Sequence, residues 1–509
     1  MAKSVMLQGT SSNVGKSVLD AAFCRIFYRK GFKVVPFKSQ NMALNSFVTD
    51  DGGEMGRAQV VQAQAAGLFP KVEMNPVLLK PTGNSSSQVI LLGKPVANMG
   101  AREYHLEFNT KALGAISNCL ERFHQEFEIL VIEGAGSPAE VNLKARDIAN
   151  MRIAKMAGAP VLLIADIDRG GAIASVVGTL ELLPKDEKDM IKGILINKFR
   201  GDKTLLQPAI DILEEKTGKP VLGVIPYFTS FKIPEEDSVA LEEMRNTSDK
   251  DYGIEVTVVW LPRISNFTDF DALSQTSDVN VRYVKENDDM GKPDLIIIPG
   301  SKNSIEDMNY LHETGKSEQI KTLVEAGTPV IGICGGFQML GKELMDPENT
   351  ESSLATIEGL GLLEMHTCFE PSKVTRQAAG KVIGHGPLLE QFRGEELIGY
   401  EIHMGRTYLS GKTEPAFHIQ RLGENSMIKD GAVSSDGLTM GTYLHGIFDN
   451  DAWREHLLNF LRKRKGLKAS SSGISFMQQQ DQALNQLADM VEENIDLDRL
   501  YDIMSLERE

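Results

Sequence analysis

The sequence predicts two α/β domains in series with a helical segment behind them. Three observations carry that expectation. Continuous apolar runs of strand length alternate with helix-length spacers in two separate series. A Gly-rich loop ending in Lys-Ser directly follows the first run, and a Gly-x-Cys-x-Gly turn directly follows a run of the second series. Unbroken rather than alternating hydrophobicity belongs to strands of a parallel sheet covered on both faces, and its alternation with helical spacers is the pattern of an α/β domain.

The first series comprises Val5-Met6-Leu7, Val34-Val35-Pro36-Phe37, Ile129-Leu130-Val131-Ile132, Val161-Leu162-Leu163-Ile164 and Ile194-Leu195-Ile196, and defines a parallel-sheet domain over 1–234. Residues 235–251 are charged and poor in apolar anchors, which reads as a linker. The second series begins at Ile254 and continues through Leu295-Ile296-Ile297-Ile298 and Pro329-Val330-Ile331-Gly332, giving a second α/β domain over 252–450. Residues 451–509 read as a helical extension with a Ser-rich break at 469–473. In its last part Leu484, Leu487, Ala488 and Val491 recur at helical spacing. The basic run Arg462-Lys463-Arg464-Lys465 reads as a solvated helix face.

Composition narrows the function classes. The 509 residues carry 54 Lys+Arg against 70 Asp+Glu, a formal net charge of −16, which argues against a nucleic-acid partner. No apolar stretch has the length of a membrane span and the N-terminus lacks a signal-peptide core, so no membrane association is expected and the chain reads as cytoplasmic. Cysteines at 24, 119, 334 and 368 form no CxxC pair and no disulfide framework. The oligomeric state is left open.

Gly9-Thr10-Ser11-Ser12-Asn13-Val14-Gly15-Lys16-Ser17 lies between the first strand and a helical stretch. It departs from GxxxxGK[ST] only in having Thr10 where the first Gly belongs. Backbone N–H groups of Gly9, Thr10, Asn13, Val14 and Gly15 would face phosphates. Lys16 would neutralise β/γ charge, and the Ser17 hydroxyl would ligate Mg²⁺. A metal-positioning carboxylate is expected at another strand end: Glu133 fits, with Glu54 favoured over Asp50 and Asp51 as a second. Asn197, near the end of its strand, is a candidate for reading the nucleotide base or simply a turn residue. Lys38 is a candidate for the γ-phosphate or a substrate carboxylate, and Asp166 and Asp168 for a substrate group or metal.

The turn Gly332-Ile333-Cys334-Gly335-Gly336 has the form of a nucleophile elbow, in which small neighbours permit a strained strand-to-helix turn. Cys334 would attack, at a helix start whose dipole favours a negative sulfur. Gly335 would donate to an oxyanion, with Gly300 as a second donor. The base is expected to be His445, in Thr442-Tyr443-Leu444-His445; His403, beside Arg406, is the competitor.

The elbow with Thr442–His445 resembles the class I, triad-type glutamine amidotransferases, and the loop Gly9–Ser17 resembles that of dethiobiotin synthetase-like ATPases. Their order resembles the cobyrinate amidases. The segments Pro36–Met42, Ile132–Glu140, Leu261–Asp269 and Gly399–Thr407 resemble the cobyric acid synthase family most closely, over residues 3 to 450. The resemblance implies a P-loop NTPase-like domain followed by a class I glutamine amidotransferase-like domain. Cys334 and His445 would hydrolyse L-glutamine. ATP with Mg²⁺ at Ser17, Glu54 and Glu133 would activate carboxylates of adenosylcobyrinic acid a,c-diamide at four positions (b, d, e, g), giving adenosylcobyric acid. An a,c-diamide synthase is the nearest alternative, and a nucleotide-dependent switch is the alternative from another class. Because the substrate is a polycarboxylate, Lys38, Arg57 and Arg169 are the expected contacts. Many triad enzymes carry Glu two residues after the His; here Ile447 stands there, so what orients His445 is open. Ammonia is expected to travel a shielded path between the two sites.

Overall fold

The computed structural model describes residues 2–82, 86–100, 104, 108–229, 231–234, 253–471 and 473–507; the expected linker lies outside them. The chain forms two compact units. Unit 1 is Met1–Ala43, Met55–Glu236 and Gln479–Glu509; unit 2 is Leu44–Glu54 and Asp237–Gln478.

Unit 1 is built on six parallel strands, β1 (Lys3–Gly9), β2 (Val34–Phe37), β3 (Ile129–Glu133), β4 (Val161–Asp166), β5 (Ile191–Phe199) and β6 (Val221–Pro226), in the order β6-β5-β4-β1-β3-β2. Val5, Leu7, Ile129, Val131, Leu162 and Ile164 are all fully buried, as two-sided coverage requires. Helix α1 (Lys16–Arg29) follows the phosphate loop and buries Leu19, Phe23 and Phe27, and α2 (Arg57–Ala65) packs beside it.

In unit 2 the strands β7 (Ile254–Val259), β8 (Val279–Val284), β9 (Leu295–Ile298) and β10 (Val330–Ile333) are parallel. The long antiparallel pair β11 (Met365–Val382) and β12 (Glu396–Leu409) forms a second sheet. The first sheet is completed by β13 (Ala432–Val433) and β14 (Thr439–Thr442), in the order β8-β7-β9-β10-β14-β13. Residues 44–54 are part of this unit: Phe47 packs edge-on to Tyr400, their ring centroids 5.0 Å apart.

The expected C-terminal extension divides. Helix α3 (Asp451–Arg464) belongs to unit 2, and of the basic run at its end Lys463, Arg464 and Lys465 are exposed while Arg462 is structural. Arg462 is 3% exposed and holds Asp278 through two bonds of 2.7 and 2.8 Å, and Lys465 pairs with Asp294. Helices α4 (Phe476–Glu492) and α5 (Leu497–Met504) place Leu484, Leu487, Ala488, Val491, Leu500 and Met504 in the hydrophobic core shared with α1. Arg29–Asp489 and Lys30–Glu492 pairs flank that seam.

Candidate active sites

The phosphate loop of unit 1 is held in shape by its neighbours. Thr10 N–H donates to the Ile164 carbonyl at 2.9 Å, and Asn13 and Gly15 adopt left-handed backbone (φ 59° and 94°). A Cβ on Gly15 would lie 2.3 Å from Asn197 Nδ2, so a glycine is required there. Asn197, expected at a base, donates its Nδ2 to the Val14 carbonyl at 2.8 Å and acts as a brace of the loop. Lys198 reaches the Asn13 carbonyl and Asp166, while Asp168 holds Arg200. Lys16, 7% exposed, donates to the carbonyls of Ser11 (2.9 Å) and Gly136 (3.2 Å), curling over the loop as a phosphate-binding lysine must.

Glu133, at the end of β3, is the hub. Its Oε1 accepts from Ser17 Oγ at 2.7 Å and from Lys38 Nζ at 2.8 Å, and its Oε2 accepts from Gln62 (2.7 Å) and Gln59 (3.3 Å). Lys38, 5% exposed, is thus a counter-ion of Glu133. Glu54, expected as a second metal carboxylate, is fully buried; it accepts from the Ser46 hydroxyl at 2.8 Å and pairs with Lys373. The second carboxylate that the fold brings to Glu133 is Asp20 of α1. Burial, then the Glu133 charge, hold its carboxyl well above the usual range. Its Oδ2 has no hydrogen-bond partner among the described residues. The Ser17 hydroxyl and Glu133 carboxylate converge on one point with hard oxygen donors, which fits Mg²⁺; this ion takes one or two carboxylates and completes its shell with water and phosphate. Arg57 opens α2 and is buried, and Arg169 is exposed between β4 and the next helix.

In unit 2 the elbow is present. Cys334 sits between β10 and the five-residue helix Gly335–Met339 with φ 52° and ψ −106°, a strained conformation for a residue with a side chain. Crowding explains the flanking glycines: a Cβ on Gly336 would lie 1.9 Å from the Ile298 carbonyl oxygen, and one on Gly335 would lie 2.8 Å from Ser301 N. The Cys334 amide is engaged by the Thr442 carbonyl at 2.8 Å, while Gly335 opens the helix and its N–H has no intrahelical acceptor. Gly300 lies against the base: a Cβ there would be 3.3 Å from His445 Cε1.

His445 is 1% exposed and interacts electrostatically with Cys334, whose Sγ donates to the Ile402 carbonyl at 3.3 Å. Its Nδ1 shares a proton with Asp269 Oδ2 at 2.7 Å, and Asp269 Oδ1 also accepts from Gly446 N–H at 3.0 Å. Burial alone would lower the imidazole, but the negative charges of Asp269 and Cys334 carry it up to about 10. Asp269 therefore stands where the missing Glu left a gap. It comes from 176 residues upstream, on the turn Phe267–Phe270, whose entry Asn266 is left-handed (φ 53°). Asn266 Oδ1 accepts from Ser46 N–H and Asn45 Oδ1 from Phe267 N–H, both at 3.1 Å, so residues 44–54 help fix the turn that carries Asp269. Tyr400 stacks on the imidazole with centroids 5.3 Å apart.

His403 is employed elsewhere. It stacks on Tyr443 at 3.7 Å and meets Glu401 at 3.3 Å. Burial would raise Glu401, but His403 and Arg421 hold it down at about 2. Arg406 is exposed and pairs with Glu370.

Comparison with known proteins identifies both domains. Residues 5–240 match the CobQ/CobB/MinD/ParA nucleotide binding domain, and residues 255–453 match the CobB/CobQ-like glutamine amidotransferase domain. The chain is 58% identical to the cobyric acid synthase of Moorella thermoacetica, over 100% of this chain and 98% of that protein. It is 56% identical to that of Pelotomaculum thermopropionicum (99% and 97%) and 54% to that of Desulfitobacterium hafniense (99% and 98%). Likeness to solved structures is more distant: PurLQS from Thermotoga maritima aligns with 41% of this chain and 99% of its own at 18% identity and a TM-score of 0.32. No helix among the described residues is long and apolar enough to cross a membrane.

Proposed function

The chain belongs to the cobyric acid synthase family and is a glutamine amidotransferase-type ligase, and from that premise we propose that it uses ATP to amidate four peripheral carboxylates of adenosylcobyrinic acid a,c-diamide with nitrogen from L-glutamine. The observation that carries the reading is the Asp269–His445–Cys334 constellation, coupled in one chain to a phosphate loop whose Ser17 faces Glu133. A nucleotide-driven switch has no use for a braced nucleophile.

In the glutaminase half, Cys334 Sγ attacks the carboxamide carbon of glutamine. The resulting oxyanion is met by the Gly335 N–H, and Gly300 leaves room beside the imidazole. His445, kept charged by Asp269, gives its proton to the departing ammonia, leaving a thioester on Cys334. Water, deprotonated by the now neutral His445, cleaves the thioester to glutamate and restores the thiol. In the ligase half, a corrinoid carboxylate attacks the γ-phosphorus and ADP departs. Ammonia then displaces phosphate from the acyl phosphate to leave the amide. Lys16 neutralises charge on the transferring phosphoryl group. Ser17 and Glu133 would hold Mg²⁺, which supplies Lewis-acid charge to the phosphates. Lys38, Gln59 and Gln62 fix the Glu133 carboxylate. The two halves share only ammonia, which must be kept from protonation in bulk water.

Reaction with ATP and amide-¹⁵N-glutamine tests the reading. Four labelled nitrogens entering the a,c-diamide are expected. No product from the a,c-diamide, together with two labels entering cobyrinic acid, overturns it.

A further inference from the structure

Amidation requires that a substrate carboxylate reach the phosphate-loop end of unit 1; of the three cations first expected to receive it, Lys38 is engaged by Glu133, Arg57 is buried and Arg169 is exposed. A cleft of about 320 Å³ opens beside that loop, between Gln40 and the stretch from Ala135 to Lys155. Its inner end is Ala135 and Ser137, which flank Gly136, the residue whose carbonyl takes the Lys16 ammonium. Asn150, 7% exposed, fixes that end by bonding the Ala135 carbonyl at 2.6 Å and accepting from the Ala135 N–H at 3.2 Å. Ser39 ties the opposite wall by donating to the Ile148 carbonyl at 2.7 Å. A group seated in this cleft lies next to the place where the γ-phosphate is held.

The charges of the cleft sort into two sets. Lys144 and Lys155 are neutralised by Glu187, and Lys155 also by Asp186. Asp147 is satisfied by the backbone N–H groups of Ala149, Asn150 and Arg152. Arg146 and Arg152 are exposed and have no carboxylate partner among the described residues. Glu140, also on the lip, is a carboxylate able to accept from an amide. Two guanidinium forks beside an amide-accepting group suit a molecule that carries carboxylate and carboxamide arms side by side.

We propose that this cleft seats one edge of the corrinoid, with Arg146 and Arg152 holding the carboxylates adjacent to the arm under reaction. The volume admits an arm and the neighbouring ring edge, not the whole macrocycle. The substrate is therefore gripped by its periphery and can be presented in different rotations, as one ligase site acting on several carboxylates demands. Each amidation removes a negative charge, so the grip weakens step by step and releases the most amidated product.

This inference rests on the proposed function, and the experiment separates the two. Steady-state kinetics of the Arg146→Ala/Arg152→Ala variant should show a corrinoid KM raised by about tenfold to a hundredfold, with the ATP KM within about twofold of the parent. Arg152→Lys, restored to Arg146, should recover part of the loss. In the unaltered protein, equilibrium binding of purified corrinoids should weaken with each carboxylate converted to amide. A corrinoid KM unchanged in a double variant of unaltered melting temperature overturns the cleft assignment, as does affinity independent of carboxylate number. If the unaltered protein amidates no corrinoid, the functional reading falls instead.

Discussion

Replacing Asp269 with Asn keeps the size of the side chain and removes its charge. In the native site, the Asp269 and Cys334 charges carry His445 from 6.5 to about 10 against the opposing effect of burial. That interval corresponds to at most roughly 5 kcal/mol of preference for the charged imidazole. The amide cannot supply the charge, and where it donates to Nδ1 it leaves the proton on Nε2, the wrong tautomer for taking a proton from the thiol or from water. The analogous loss in Ser-His-Asp enzymes costs about four powers of ten in kcat, and a loss of about 10²- to 10⁴-fold in glutamine hydrolysis is expected here. The assay is glutamate release, with ammonium-supported amidation as the control for the other half-reaction. The pair also affects stability. A histidine whose folded pKa is raised stabilises the fold fully below 6.5, and the contribution is lost as pH rises towards about 10. Urea denaturation of the parent should therefore weaken between these pH values, and the Asn variant should lack that slope. Glutamate release within about threefold of the parent would refute the assignment of Asp269.

Lys16→Ala should abolish amidation from glutamine and from ammonium alike, as read by product formation with each nitrogen source. Lys373→Met removes the buried Lys373–Glu54 pair and should lower unfolding free energy by about 3–5 kcal/mol; a change under about 1 kcal/mol contradicts the contribution of that pair. Asp20→Asn should be tolerated to within about 1 kcal/mol, because burial and the Glu133 charge disfavour the charged carboxylate, and should flatten the loss of stability that a raised acid causes as pH rises. Leu487→Ala should cost about 2–5 kcal/mol in denaturant titration, since this C-terminal side chain is fully buried in the core of unit 1.

What the sequence made legible is what local pattern encodes. Strands buried on both faces must be continuously apolar, so Val5–Leu7 or Leu295–Ile298 announce themselves, and the loops that end them carry Lys16, Glu133 and Cys334. Asp269 was hidden because its role depends on a turn meeting a histidine far along the chain, and no spacing rule links the two. Its only signal was a place within a motif. Asp20 gave a weak sign, a carboxylate on an otherwise apolar helix face one turn after Lys16. The pairing of Glu54 was not legible, because Lys373 is supplied by a distant strand. The C-terminal helices showed their periodicity plainly, but amphipathicity does not say which core they cover, and only the structure gives α1 as the partner.

The central claim is that glutamine is opened at one site solely to supply ammonia to an ATP-dependent amidation at another. Cys334→Ala tests it most directly, with corrinoid product measured in the presence of ATP and either glutamine or ammonium at a pH that leaves free ammonia. The account predicts loss of glutamine-dependent product by several orders of magnitude and ammonium-dependent product at close to the parent rate. Product still formed from glutamine, or lost with both nitrogen sources in a folded variant, would contradict it.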